Sequence, residues 1–441
     1  MKQMKQMKIY SNSESYKKKL FEVKPTTIIF SSEFNSYLSC DFLPEFVKKI
    51  IFGYGEKLLE DESNIDNYSI DNMINGEEIF TDENSFSKFN SNSINNFESN
   101  TNIKWIIFPL DSTFNQEIKS LPSNLEFLSL GHSYIKSLEN LPKSLKYLIF
   151  LSINSYSDKS VCDCVLSIPD TLEYFGIKTS HDFIIDKLPK STKYIDLETY
   201  RYNNIVIKNN KALDYIKYNL DTLKLKCLYN SELKNLPNCL KKLSILDLCT
   251  FDTLHNLPDT LEFLEICFHQ KIHNNDDDER FRYFSNLPSK LKFLKIHSKM
   301  TGRHEPQPKL ILDNLPDSIT KLYISSYLYD GIFDNLPTNL EELICENCNV
   351  KSDLEYEQDN CELNFYKNLP RNLKYLTISY YYYFPNQYNL NKYPKQKIIL
   401  TNLPDNLKYI KISNKIEYKL DRKYNETYFD ENFNKIEFVN E

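Results

Sequence analysis

The stretch that decides the fold is LPSNLEFLSLGHSYIKSLENLPKSLKYLIF, residues 121–150. It holds one ten-residue phrase twice, LPSNLEFLSL and LPKSLKYLIF, and the second copy starts twenty residues after the first. With the proline set at position zero, both copies place leucine at −1, three and six, and an apolar residue at eight. The alternation of six and eight reads as a short strand with one buried face. Position four is polar nearly throughout, as at Glu126, Lys146, Glu173, Lys193 and Glu262. Proline has a fixed φ and no N–H to donate, so it belongs before the strand's ladder bonds begin.

The phrase recurs along the chain, at Pro122, Pro142, Pro169, Pro189, Pro237, Pro258, Pro288, Pro316, Pro337, Pro370 and Pro404. Copies zeroed on Asn100 and Lys217 lack the proline, and LPEFVKKIIF gives a further copy on Pro44. These make fourteen clear copies, and a faint one, TIIFSSEF at Thr27 to Phe34, lies in register 22 residues before the Pro44 copy. Spacings run from 20 to 34 residues, with one gap of 56. The short spacing is the minimal unit, and the longer ones carry surface insertions.

One such unit cannot bury its leucines alone, whereas stacked units can, by laying strand against parallel strand at about 4.8 Å. The expected fold is a leucine-rich-repeat-like repeat solenoid. It has a curved parallel β-sheet, one short strand per 20–34-residue repeat, and a convex side made mostly of loops and turns. Return segments of about ten residues leave no room for a full helix, so turns and occasional 3₁₀ are expected there. In the shortest unit Ile135 and Leu138 are the anchors of the returning side.

The LPxxLxxLxL phrase, with FNQEI at Phe114 to Ile118 between two copies, resembles the FNIP repeat family, a leucine-rich-repeat-like group common in social amoebae and giant viruses. The resemblance spans roughly residues 22–415. It implies a binding scaffold, and some members of the family carry an N-terminal F-box that joins a ubiquitin ligase. The alternative function is therefore a ubiquitin-ligase substrate-recognition subunit, resting on LPEFVKKII at Leu43 to Ile51. The Phe-Asn element is clear in only one linker. The asparagine that follows the strand in ordinary leucine-rich repeats is mostly missing, so no asparagine ladder is expected.

The chain divides into an N-terminal cap with degenerate repeats (1–56), an acidic Asn/Ser-rich insertion expected to be flexible (57–99), the repeat solenoid (100–415) and a C-terminal cap (416–441). Net charge is −7 with both signs interspersed, which gives no general attraction to nucleic acid or an anionic membrane. No apolar run is long enough to span a bilayer. Ten cysteines without a secretory signal point to reduced thiols and a cytoplasmic setting. A monomer acting on protein partners is expected.

Seven glycines in 441 residues speak against phosphate-cradling loops, and no Ser/His/Asp set, H-E-x-x-H or paired-carboxylate element is present, so an enzyme and a cofactor are not expected. Cys267, His269 and His273 have ligand-like spacing but read as a charged solvated loop, without metal. Cys345 and Cys348 form a C-x-x-C, and Cys162 and Cys164 a C-x-C. Cys345 falls on inward position eight and reads as a packed thiol.

Position five carries the candidate partner-binding residues: Trp105, Phe127, Tyr147, Tyr174, Tyr194, Phe263, Phe293, Tyr375 and Tyr409. It precedes inward position six, so the row is expected to face outward as an exposed aromatic ladder. Such a row serves either as cross-strand packing or as interface anchors.

Overall fold

In the computed structural model the residues described are 6–10, 13–38, 42–53, 86–109, 111–131, 133–134, 136, 138, 140–152, 168–179, 191–199, 220–229, 236–248, 257–269, 287–299, 315–325, 335–346, 369–379, 396–400, 403–413, 416–420, 426–429 and 433–437. The chain forms two compact units, Met1–Leu228 and Tyr229–Glu441.

Unit 1 contains β1 (Gln6–Ile9), α1 (Glu14–Val23), β2 (Thr27–Phe30), β3 (Lys49–Phe52), β4 (Phe86–Ser87), β5 (Trp105–Ile107), β6 (Asp111–Ser112), β7 (Phe127–Leu130), β8 (Tyr147–Ser152), β9 (Tyr174–Thr179), β10 (Tyr194–Thr199) and β11 (Thr222–Tyr229). All but β4 and β6 join one parallel ladder, which keeps position five opposite position five: Gln6, Thr27, Lys49, Trp105, Phe127, Tyr147, Tyr174, Tyr194, Thr222. The ladder begins one strand earlier than the repeat phrase does. Residues 6–9 lack any Leu-Pro turn, yet Met7 and Ile9 occupy inward positions six and eight and are buried.

Unit 2 contains β12 (Lys242–Leu248), β13 (Phe263–His269), β14 (Phe293–Lys299), β15 (Lys321–Ser325), β16 (Glu342–Glu346), β17 (Tyr375–Ser379), β18 (Gln396–Leu400), β19 (Tyr409–Ser413), β20 (Ile416–Leu420), β21 (Glu426–Phe429) and β22 (Phe433–Glu437). Strands β12 to β17 and β19 continue in the same position-five register. Antiparallel β22 then pairs with β19, and β21 with β22. The pair β18 and β20 forms a separate two-stranded parallel sheet.

The hydrogen bonds explain the phrase. The N–H at position three donates to the carbonyl of the position-zero proline, as Leu125 does to Pro122 and Leu373 to Pro370, each at 3.0 Å. This closes a tight turn. The N–H groups at positions four and five then donate to the position-four carbonyl of the preceding repeat, as Lys146 and Tyr147 do to Glu126 at 2.9 and 3.0 Å. Leucines at three, six and eight go inward. Leu125, Leu128, Leu130, Leu240, Leu243 and Leu343 are all fully buried.

Position two reinforces each turn, a feature that the leucine pattern hides. Ser144 Oγ lies 2.7 Å from the carbonyl oxygens of both Ser123 and Leu125. Asn339, Asn372 and Asn406 each donate through Nδ2 to a carbonyl of the turn before, at 3.0 Å.

Four expectations are corrected. First, the return between β1 and β2 is longer than ten residues and houses the ten-residue helix α1, which ends at left-handed Lys24, just before Pro25. Second, Leu43 to Ile51 folds as a repeat turn leading into β3, so the segment of the F-box reading is occupied by a ladder strand. Third, the insertion is not loose to residue 99: from Phe86 the chain forms β4 and a 3₁₀ helix, Asn92–Ser99, and Phe89, Ile94 and Phe97 are buried. Residues 57–85 lie outside the described residues.

The fourth correction concerns the return side of unit 1. The Phe-Asn element occurs there three times, at Phe34–Asn35, Phe89–Asn90 and Phe114–Asn115. Phe34, Phe89, Phe114 and Tyr134 stack in sequence with ring centroids 5.9–6.2 Å apart. The position-eight rings Phe30, Phe52 and Phe108 form a second column at 5.1 and 4.7 Å. Phe30 meets Phe34, Phe52 meets Phe89, and Phe108 meets Phe114 at 4.3–4.4 Å, which locks the two columns together. Beside them runs an asparagine ladder: Asn90 N–H donates to Asn35 Oδ1 and Asn115 N–H to Asn90 Oδ1, both at 2.9 Å. Leu138 is buried against the interior as expected, while Ile135 lies outside the described residues.

Candidate interaction face

Positions five and seven share the strand face that points away from the leucine core. In unit 1 the position-five rings form the expected row. Trp105 stacks on Phe127 at 4.8 Å, and the row continues through Tyr147, Tyr174 and Tyr194 at 6.2, 6.5 and 6.4 Å. The Lys49 ammonium lies 4.5 Å from the centre of the Trp105 ring.

This row is not the exposed ladder expected from the pattern. Phe127 is 0% exposed and Tyr174 8%, and both belong to a second apolar cluster with Ile29, Ile51, Ile107 and Ile149. Those isoleucines occupy position seven, where alternation alone led us to anticipate an exposed face. Trp105, Tyr147 and Tyr194 pack against the cluster and are partly covered. Gly176, at position seven of β9, leaves room for its neighbour: a Cβ there would stand 3.0 Å from Tyr174 Cε1. Burial, and then the charge of Asp196, push the Tyr174 phenol well above its ordinary pKa.

Unit 2 is different. Phe263, Phe293, Tyr375 and Tyr409 are all half-buried, as is Tyr323, a position-seven residue outside the position-five pattern. Phe263 meets Phe293 edge-on at 5.0 Å, and Tyr375 meets Tyr409 at 4.9 Å. Lysines lie over three of these rings: Lys321 over Phe293 at 5.0 Å, Lys295 over Tyr323 at 5.2 Å and Lys408 over Tyr375 at 5.9 Å. Such cation–ring contacts favour aromatic faces left partly open to water. The Tyr323 hydroxyl also bonds the Glu346 carboxylate.

Charged side chains border both faces. Position four changes sign between many neighbouring strands, where it forms ion pairs: Lys104–Glu126 at 2.6 Å, and Glu173–Lys193, Glu262–Lys292 and Glu341–Lys374 at 2.7 Å. A hydrogen bond from Lys292 holds the Glu262 carboxyl below its ordinary value, and one to Glu173 raises Lys193. Pairs this exposed add little stability.

Two further strongly perturbed ionisable groups face each other across β13 and β14. Burial works to raise the Glu265 pKa, but the adjacent His297 and Lys295 outweigh it and hold the carboxyl at about 2. Burial works to lower His297, and its contacts with Cys267 and Glu265 overcome this and push it up to about 9. Lys295 Nζ and His297 Nε2 lie 2.7 and 3.4 Å from Glu265 Oε1. Cys267 is buried beside His297 on the neighbouring strand rather than in a charged loop. Cys345 is buried at position eight. His273, Cys162, Cys164 and Cys348 lie outside the described residues. Among the described residues no cluster of three His, Cys, Asp or Glu could hold a metal, and no helix is long and apolar enough to cross a membrane.

The FNIP repeat family model matches residues 114–152, the segment that carries FNQEI and the two adjoining copies of the phrase. That segment carries FNIP repeats, within a leucine-rich-repeat-like ladder of one strand per repeat. Among solved structures the chain is similar to CroV588, described as a novel circular LRR protein, with 20% identity over 91% of this chain and a TM-score of 0.42. The chain spans 57% of that protein's length. It is also similar to YopM from Yersinia enterocolitica WA-314, with 13% identity, 90% of this chain and 80% of that one covered, and a TM-score of 0.28. No curated protein matches its sequence.

Proposed function

We propose that this chain is a scaffold that binds other proteins, and that the outward strand face of unit 2 is its docking surface. The observation that carries this reading is the contrast between the units. In unit 1 Phe127 and Tyr174 are buried in an apolar cluster against which the half-buried Trp105, Tyr147 and Tyr194 pack, whereas none of Phe263, Phe293, Tyr375 and Tyr409 is fully buried. Rings held rigid by a parallel ladder lose little conformational freedom on binding, which suits them as interface anchors. The inward leucines are taken up by the core. The test is capture of partners from the native cell with the wild-type chain and with a Phe293→Ser/Tyr375→Ser variant. Loss of specific partners at unchanged melting temperature supports the reading, and equal capture by the two proteins sinks it.

A further inference from the structure

A terminal repeat normally turns a polar outer face to water, and the N-terminal end of unit 1 departs from this. Among the described residues three large apolar side chains are openly exposed: Tyr10 at 58%, Phe21 at 51% and Tyr37 at 59%. All three fall in the first 37 residues. Tyr10 follows β1, Phe21 is on α1, and Tyr37 is on the return after β2. Tyr10 meets Tyr16, in the first turn of α1, at 6.5 Å. Phe21 meets Phe46 edge-on at 6.0 Å. Phe46 fills the position-two slot that Ser144 and Asn339 use to brace other turns. The charge around these rings is of one sign. The first 24 residues hold seven lysines against Glu14 and Glu22, in a chain whose net charge is −7. Lys17 and Lys18 lie one helical turn before Phe21 and Lys24 three residues after it, so they border its face of the helix. Lys18 and Lys24 are exposed and Lys17 is half-buried. Among the described residues none of the three has an ion-pair partner.

We propose that the outer face of α1 is a peripheral contact with an anionic lipid surface, in which Lys17, Lys18 and Lys24 meet the acidic headgroups and Phe21 and Tyr10 enter the interfacial layer. The proposal is independent of the docking face of unit 2. Leu20 is fully buried, so the inner side of α1 is taken up by the fold and its outer side is what it can present. Lysines beside an exposed ring are the build of a helix that lies on a membrane, the charges drawn by anionic lipid and the ring by the acyl boundary. The net charge of −7 does not cancel this attraction, because charges more than about 10 Å away are largely screened at 0.1 M salt. Lipid is favoured over a folded acidic partner because the rings stand out from a helix rather than line a recess. It is favoured over nucleic acid because Phe21 and Phe46 pack edge-on and offer no row of parallel planes on which bases could stack.

The experiment floats the full chain with vesicles of phosphatidylcholine alone and of phosphatidylcholine with phosphatidylserine. Wild-type protein is expected to float with the phosphatidylserine vesicles at low salt, to be released as salt rises, and not to float with phosphatidylcholine. A Lys17→Gln/Lys18→Gln/Lys24→Asn variant should bind about tenfold more weakly or worse, asparagine being chosen because it tolerates the left-handed cap. Phe21→Ser should bind several-fold more weakly and be released at lower salt. A Lys119→Gln/Lys143→Gln/Lys290→Gln control makes the same change of net charge at exposed lysines elsewhere and should bind as wild type does. Melting curves establish that each variant is folded, and the exposed single change Lys18→Gln replaces the triple variant if that one is not. Absence of binding to phosphatidylserine vesicles, or binding indifferent to the changes on α1, overturns the proposal. A control that loses as much as the α1 variant shows attraction by net charge alone and overturns it too. Stripping of the protein from the vesicles by an equal charge concentration of single-stranded DNA or poly-L-glutamate overturns the assignment to lipid, and retention supports it.

Discussion

The backbone N–H of Asn90 donates to the side-chain oxygen of Asn35 at 2.9 Å, although 55 residues separate them in sequence. Asn90 passes the bond on, since its own Oδ1 accepts from Asn115 N–H at 2.9 Å and Gln116 Nε2 at 3.2 Å. The ladder lies at the surface beside the fully buried rings of Phe34, Phe89 and Phe114. The two features should differ sharply in energy. Asn90→Ala is expected to cost about 0.5–1.5 kcal/mol, the net value of a hydrogen bond that water can partly replace. Phe89→Ala should cost about 3–5 kcal/mol, because a ring at the junction of two stacked columns leaves a cavity. Urea unfolding of both variants checks this, and equal losses would mean that the asparagines, not the rings, fix the return side.

The inward and outward assignments of the phrase give a second test. Leu128→Ala and Leu243→Ala, at fully buried positions, should each cost about 2–5 kcal/mol. Glu126→Ala removes only a partly exposed pair with Lys104 and should cost no more than about 1 kcal/mol. Similar denaturant midpoints for the two kinds of variant would refute the assignment.

What the sequence made legible follows from which positions are fixed by the backbone. The Pro122 carbonyl must receive the Leu125 N–H and Leu128 must face the core, so LPxxLxxL is repeated wherever a strand is, and strand register could be read from it. β1 was invisible because an end strand needs no Leu-Pro turn before it: Met7 and Ile9 satisfy the core without the phrase. The ring columns were missed because 55 residues separate Phe34 from Phe89, although the dipeptides Phe34–Asn35, Phe89–Asn90 and Phe114–Asn115 were a usable signal. The exposure of the candidate site failed for another reason. Alternation tells which face a side chain takes, not whether that face is wet. Ile51, Ile107 and Ile149 at position seven were the sign that it is dry in unit 1.

Stability should vary with pH through Glu265 and His297. His297 is raised from 6.5 to about 9, so its contribution is fully present below about pH 6.5 and is lost as pH rises through 9. Glu265 is lowered from 4.5 to about 2, so its contribution is present above about pH 4.5 and is lost as pH falls through 2. The pair therefore stabilises the fold most between about pH 4.5 and 6.5. Denaturant midpoints of wild type should fall between pH 6.5 and 9, and His297→Gln should flatten that decline. An unchanged slope in His297→Gln would show that the imidazole is not protonated in the folded chain.

Gly131 tests a close approach of two chain segments. A Cβ there would stand 2.4 Å from the Pro109 carbonyl oxygen and 2.6 Å from Ser112 Cβ, nearer than either can tolerate without moving. Gly131→Ala should therefore destabilise by about 1–3 kcal/mol, as overpacking does, although alanine elsewhere favours ordered structure. Thermal melting decides the point: a variant as stable as wild type, or more so, would show that the loop after β7 shifts freely.

The position-five rings should split into two classes, although the sequence pattern treats them alike. Phe127 is fully buried between Trp105 and Tyr147 and above the isoleucines of position seven, so Phe127→Ala should cost about 3–5 kcal/mol, as in a core. Tyr375 is half-buried against Tyr409, with Lys408 over its ring, so Tyr375→Ala should cost only about 0.2–1 kcal/mol, the scale of a cross-strand pair. Urea midpoints measure both. A Tyr375→Ala loss matching that of Phe127→Ala would mean that the unit 2 face is needed for folding just like the unit 1 face and has no surface to offer a partner. The expected split leaves the rings of unit 2 as aromatic side chains whose removal the fold tolerates and an interface would not.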